Sequence, residues 1–365
     1  MGGERLERIY SSSAARKRAF VAAVALLLFI TALVSVSLGA VDIPLADTVR
    51  VFFHALLPDH TAAPSHEWYT NIILNARLSR VILCALCGFS LAMSGAVMQN
   101  ILRNPLVSPF TLGLSSAASF GAAMAIVFGG GMTGCIVILG HDFFFKSLFT
   151  AGLAFIASLG SILIVIVLSR RRDVSRSTLI LTGVIISYLF QAGVSAAKYF
   201  SSDDALREIT LWLMGGMWNS SWGVVYLTIV IVPACAIAME SMSMKVNILS
   251  AGDEVAMNLG INVRRLRTVM LLLCTVMTSV CIAFTGIIGF VGLVAPHVTR
   301  MFIGNDSRYL FPAAGLLGAL ILLISDTAAR LIIRPEEIPV GIIMYVIGGI
   351  FFIWLVTRRK KEVNM

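Results

Sequence analysis

Ten stretches of this chain are apolar over lengths that match or approach a membrane crossing: 19–41, 78–100, 110–129, 148–169, 178–199, 223–240, 268–285, 287–303, 309–329 and 339–357. A helix needs about 20 apolar residues to cross a bilayer. Inside lipid, every backbone N–H and C=O must find its partner within the protein, so only helices and closed barrels can span. The runs are continuous rather than alternating, which argues against a transmembrane barrel. Charged residues make up only 13% of the 365 and hydrophobic residues 58%, against about 25% charged in a soluble protein. That excludes a soluble globular enzyme, a disordered chain and a nucleic-acid-binding domain. The expected fold class is an all-α membrane protein of about ten transmembrane helices. The eighth run is short and holds Pro296. Residues 132–140 are apolar but too few to cross, and are expected to form a re-entrant or surface piece.

The net charge of +9 asks which side the basic residues occupy. With ten spans, Arg50, Arg77, Arg80, Lys146, Lys198, Arg207, Arg330 and Arg334 fall on one side, and the other 20 of the 28 Lys and Arg on the side of both termini. The positive-inside rule then places both termini in the cytoplasm of a multi-pass protein of the cell membrane. The first span follows Arg5, Arg8, Arg16, Lys17 and Arg18. It is longer than a signal-peptide core and ends without an A-x-A cleavage site, so it is expected to stay. The chain divides into a basic segment (1–18), a transmembrane domain (19–357) and a tail (358–365). Within the domain, 245–262 forms a cytoplasmic segment too polar to span.

Several motifs point away from chemistry on this chain. A P-loop needs Gly-Lys followed by Ser or Thr, and none of the six lysines follows a glycine. Any ATP hydrolysis belongs to another polypeptide. Cys84 and Cys87 have CxxC spacing, but with no second pair and no nearby His they fit helix packing better than metal or redox chemistry. His297 is a lone histidine. No metal, cofactor or catalytic residue is expected.

In 245–262, Ser250 followed by Asp253 has the spacing of a capping box. Asp253 and Glu254 then occupy the first turn of a short helix, where the dipole favours negative charge. Val255 and Leu259, with Ala256 on the other side, leave an apolar face, and Gly260 stops the helix. Such a helix docks into a partner's groove or packs on its own protein. Arg77 and Arg80 open the second span. They either snorkel to headgroups or bind acidic groups of an external partner. Gly183, Ser187, Gln191 and Ser195 recur every four residues and serve either helix packing or a polar pathway. Asp326 and Arg330, one turn apart, are placed to pair.

Taken together and in order, Arg77-Leu-Ser-Arg80, Ser94-Gly95 with Gln99, Arg103-Asn-Pro-Leu106, Trp212-Leu-Met-Gly-Gly216, Gly252-Asp-Glu254 with Leu259-Gly260, Gly289-Phe-Val-Gly-Leu293, Pro296-His297 with Arg300, Asp326 with Ala329-Arg330, and Glu337-Ile-Pro-Val-Gly341 carry a resemblance. The chain resembles the permease subunits of importers for ferric siderophores, haem and cobalamin, the iron-chelate/cobalamin family of type II ABC importers, over about residues 20–357. The resemblance implies a homodimer, or a pair with a close relative, two cytoplasmic ATPases and an extracytoplasmic binding protein. It implies a coupling role for Ser250, Gly252, Asp253, Glu254, Ala256, Leu259 and Gly260, and binding-protein docking for Arg77, Arg80 and Arg330. Asn104 and the loop near Ser177 match the cytoplasmic gate, and Ser187 and Gln191 match the pathway lining. The implied cargo is a metal chelate, first a ferric siderophore, then haem or cobalamin. The chain departs from the family at Ser79, where Pro is frequent, at Gly348-Gly349-Ile350, where Gly-Ala-Pro is frequent, and in a longer stretch at 130–147. An ion-coupled secondary transporter is the alternative. It would want an acidic residue at mid-membrane, and Asp326 lies close to a span end.

Overall fold

The computed structural model describes residues 2–39, 41–57, 65–138, 141–170 and 176–363. Arg171 and Arg172, used above for topology, lie outside the described residues, as does the side chain of Ser177. The helices, in chain order, are α1 (Gly2–Ser37), α2 (Leu45–Leu56), α3 (Glu67–Thr70), α4 (Ser79–Leu102), α5 (Leu114–Phe128), α6 (Phe145–Arg170), α7 (Arg176–Phe200), α8 (Asp203–Met214), α9 (Trp222–Glu240), α10 (Ser243–Ala251), α11 (Asp253–Asn258), α12 (Val263–Thr285), α13 (Val291–Ile303), α14 (Ser307–Leu331) and α15 (Val340–Val363). A π-helical stretch, Asn71–Leu78, joins α3 to α4. α1 runs from the basic N-terminal segment into the first span.

Among the described residues, eight helices are long and apolar enough to cross a membrane. The two remaining expected spans are shorter than the apolar runs suggested. α5 has 15 residues and α13 has 13, or roughly 22 and 20 Å at the helical rise of about 1.5 Å per residue. Each is preceded by irregular backbone that takes up the missing depth. A 3-10 turn, Pro109–Leu112, and Gly113 at φ 86° lead into α5. The glycine-rich segment after Thr285 leads into α13 and ends on Phe290 in the left-handed region at φ 65°. Such backbone is tolerated at membrane depth only where protein or a water-filled cavity surrounds it.

The centre of the bundle is α4, whose residues are largely buried and which packs against α9, α12, α13 and α14. Helices in lipid lack a hydrophobic drive to associate, so small residues that let backbones approach do the work. A Cβ on Gly95 would stand 2.0 Å from the Gly292 carbonyl oxygen, and one on Gly88 would stand 2.5 Å from that of Gly318. The Ser90 hydroxyl donates across to the Met277 carbonyl of α12 at 2.7 Å. Cys84 and Cys87 are buried in the same helix.

One short ribbon accompanies the helices. Cys135–Ile138 (β1), in the stretch 132–140 expected as a re-entrant or surface piece, pairs antiparallel with His141–Phe144 (β2) just beyond it, Cys135 opposite Phe144. The run is too short to span, and its β-branched and aromatic residues suit a ribbon. The Phe143 ring fills the space beside Gly223 at the start of α9. The polar intervals also hold two short amphipathic helices, α2 and α8. Ile209 of α8 is buried, and Ser202 caps its first turn by accepting from the Ala205 N–H.

Candidate functional site

At one end of the bundle, α10 and α11 form an elbow. Gly252 sits between them at φ 152°, ψ 151°, a conformation other residues adopt poorly. The expected capping box does not form. Ser250 lies in the last turn of α10, where its hydroxyl donates to its own helix at the Val246 carbonyl, 3.0 Å away. The helix begins at Asp253, so Gly252 rather than Ser250 precedes it. Asp253 and Glu254 do occupy its first turn. Ala256 is fully buried, whereas Glu254, Val255, Met257 and Leu259 face outward, Leu259 being 64% exposed. Gly260, at φ 77°, follows the last turn.

Asp253 turns inward. Its carboxylate accepts from Nη2 of Arg267 at 2.8 and 2.9 Å and lies 3.7 Å from Nη2 of Arg103. Asn104 stands beside this contact. Its backbone N–H donates to the Gln99 carbonyl, and its side-chain oxygen accepts from the Leu106 N–H at 3.0 Å. Nearby, Asn247 of α10 donates to Asp306 at 2.9 Å and accepts from the Ser307 N–H at 2.8 Å. Hydrogen bonds from Arg308, then from Asn247, hold the Asp306 carboxyl well below its usual value. Arg300 donates to Gln99 at 2.5 Å and to Asn100 at 3.2 Å.

At the opposite end, the three arginines expected on a docking surface point into the protein. The carbonyls that end α1 take Arg77, which donates to Val36 at 3.2 Å and Ser37 at 2.7 Å, and also to Val41. The last carbonyls of a helix lack partners within it. Asp326, fully buried, lies between Arg80 at 2.9 Å and Arg330 at 3.1 Å. The second arm of Arg80 reaches Glu337 at 2.7 Å. Arg330 also donates to Ser35 Oγ at 2.7 Å and to the Leu38 carbonyl at 2.8 Å. The expected Asp326–Arg330 pair therefore exists, with Arg80 as an unforeseen third member. Neither snorkelling nor free exposure describes these side chains.

The small and polar positions of α7 split between two environments. Gly183 abuts Leu112, and Ser187 donates to the Gly183 carbonyl at 2.8 Å. Gln191 is exposed on this chain and lines a cavity of about 380 Å³ with Ser115, Ser119, Phe290 and Tyr345. The outward face of α7 carries Leu181, Ile185, Tyr188 and Leu189. Sequence reasoning missed Arg103 and Arg267 as partners of Asp253, and Glu337 as a partner of Arg80. These pairs join residues far apart in the chain, so no local spacing betrays them.

Membrane-length helices around a buried α4, with a short helical elbow at one end and a buried charge knot at the other, are the build of a multi-pass membrane protein. The chain belongs to the FecCD transport family, which matches residues 27–358. It is 36% identical over 338 residues to the hemin transport system permease protein of Yersinia pestis, covering 92% of this chain and 95% of the relative. The Fe(3+)-citrate import system permease protein of Bacillus subtilis is 33% identical over 344 residues, 93% and 94% of the two chains. The vitamin B12 import system permease protein of Citrobacter koseri is 33% identical over 309 residues, 83% and 89%. A solved structure assigned to the metal-chelate type of ABC transporter, in an inward-facing conformation, aligns with a TM-score of 0.78 at 30% identity, covering 93% of this chain and 99% of that one. The fold is that of a type II ABC importer permease.

Proposed function

We propose that two copies of this chain form the membrane path of a binding-protein-dependent importer that carries a metal chelate into the cytoplasm, a ferric siderophore in the first place and haem or cobalamin next. Both termini and the α10–α11 elbow face the cytoplasm, in keeping with the basic residues gathered at that end. Two separate ATPases supply the energy. The observation that carries the reading is the outward apolar face of α11. Val255, Met257 and Leu259 stand exposed beside Glu254 at the end of the bundle where a cytoplasmic motor would dock. A helix laying such a face into a groove is a recurrent mode of recognition. The outward apolar face of α7 meets its counterpart in the second copy, with Ser187 and Gln191 beside the central path. Asn104 and Ser177 flank its cytoplasmic mouth.

The binding protein docks at the opposite end. Arg77, Arg80 and Arg330 are engaged internally, so its acidic groups would compete with Asp326 and Glu337 for them. Selectivity then rests mainly with the binding protein, because the residues around Gln191 offer hydroxyls and aromatic rings but no charge.

The test is capture of the ATPase by the tagged permease. Wild type retains it, Leu259→Glu loses it, and the purified chain alone accumulates no chelate under an ion gradient. Uptake by the chain alone, driven only by such a gradient, would overturn the reading. A ligand screen of the cognate binding protein identifies the cargo class.

A further inference from the structure

α11 has six residues, and a helix that short has no stability of its own in water. Its hinge, Gly252, has no side chain to lock the angle. What fixes the elbow must therefore come from outside it. Three contacts of α11 stand out among the described residues. Ala256 is buried, and its carbonyl accepts from the Ile261 N–H at 2.9 Å. The third contact is the Asp253 carboxylate, which lies between two arginines anchored on other helices. Besides Asp253, Arg267 of α12 donates through Nε to the Ile101 carbonyl in the last turn of α4 at 3.1 Å. Arg103 ends α4 in the left-handed conformation at φ 49°, and its guanidinium donates to the Leu249 carbonyl in the last turn of α10. Each arginine thus serves the carbonyl end of one helix and the carboxylate of another. All three side chains are less than one third exposed.

We propose that Asp253 is a positioning residue, gripped by Arg103 and Arg267, that makes the coupling elbow and the adjoining ends of α4 and α12 move as one body. The assignment rests on the coupling role argued above, and it gives neighbouring carboxylates different tasks. Glu254 faces out toward a motor, while Asp253 faces in and carries the motor's displacement to the bundle. Without the carboxylate, two guanidiniums are left facing each other, and of these contacts α11 keeps only those of Ala256.

The first readout uses the permease by itself. A nitroxide on Val255→Cys, in a Cys135→Ser background, reports the elbow's mobility in nanodiscs. The label is restrained in the parent chain, mobile in Asp253→Asn and in Arg267→Gln, and restrained again in the swapped pair Asp253→Arg with Arg267→Asp. The second readout uses the assembled importer in proteoliposomes. There Asp253→Asn still captures the ATPase and hydrolyses ATP, but chelate taken up per ATP falls about tenfold, the scale of an ordinary coupling free energy. Glu254→Gln leaves the label restrained. An unchanged label in Asp253→Asn, or loss of ATPase capture with the label still restrained, overturns the inference. Failure of the wild-type chain to capture any ATPase overturns the proposed function instead, and the label still decides the mechanical question.

Discussion

Arg80 and Glu337 meet at 2.7 Å, tying the start of α4 to the segment that leads into α15. The same guanidinium lies 2.9 Å from Asp326, whose other oxygen accepts from Arg330 at 3.1 Å. One carboxylate is fully buried and the other is partly open to solvent, so removing them has unequal consequences. Losing one partner of a buried ion pair costs about 3–5 kcal/mol, because a charge is left uncompensated. Asp326→Ala is expected to destabilise by that order, and Glu337→Ala by about 1.5 kcal/mol, the low end of the range for hydrogen bonds to charged groups. Thermal unfolding of the detergent-solubilised protein ranks the two.

Arg77 supplies donors to the carbonyls of Val36, Ser37 and Val41. Each carbonyl left unsatisfied in a buried site costs about 1–3 kcal/mol. Arg77→Ala should therefore destabilise the protein by at least about 2 kcal/mol. Lysine should restore little of it, since an ammonium cannot reproduce the planar fork that reaches several acceptors at once. The same unfolding assay, run on Arg77→Lys, separates geometry from charge.

Much of this architecture is legible in the residue order, because a membrane turns length and polarity into a strict code. The long spans follow from continuous apolar runs, and Asp326 with Arg330 follows from one turn of helix. Where the code fails, the reason is three-dimensional. α13 is shortened by a glycine-rich approach whose course depends on neighbours such as Trp212 and Tyr345, against which Gly286 and Gly289 lie. Ser250 and Asp253 have capping-box spacing, yet Gly252 breaks the chain between them, and Asp253 is drawn to Arg267 from another helix. The π-helical stretch before α4 has no local signature at all. The inward turn of Arg77 depends on where α1 ends, and that of Arg80 on Asp326 and Glu337, which no pattern near position 77 records.

Gly95 and Gly160 make a matched pair. A methyl group at Gly95 would collide with the Gly292 backbone, whereas nothing lies within 4 Å of one at Gly160 in α6. Overpacking a tight contact costs about 1–3 kcal/mol. Replacing an unencumbered helical glycine by alanine gains about 0.5–1 kcal/mol. Gly95→Ala should lower the unfolding temperature in detergent and Gly160→Ala should leave it equal or raise it.

Asp306 lies outside the spans, and its carboxyl is held below the usual 3.8 by hydrogen bonds from Arg308 and Asn247. Its folded value is thus below its unfolded one. The stabilisation this gives is complete above about pH 5 and is lost progressively as the pH falls below the unfolded value toward the folded one. Wild type should lose more stability between about pH 5 and pH 3 than Asp306→Asn, in which that contribution is already missing. Chemical denaturation at the two pH values checks the difference.

The face of α7 that carries Leu181, Ile185, Tyr188 and Leu189 offers a test of self-association apart from folding. Tyr188 is 74% exposed on a single chain, so it adds little to the packing within one copy. If this face meets lipid alone, a charge placed there is expensive for the monomer, by about 2.5–3.5 kcal/mol at mid-membrane. If it meets a second copy beside a hydrated path, the same charge chiefly penalises the dimer. Tyr188→Asn and Tyr188→Lys should both lower the dimer fraction measured by light scattering, with lysine the stronger. The monomer that remains should keep its helicity by circular dichroism. A dimer fraction unchanged in Tyr188→Lys would place the contact between copies on another face.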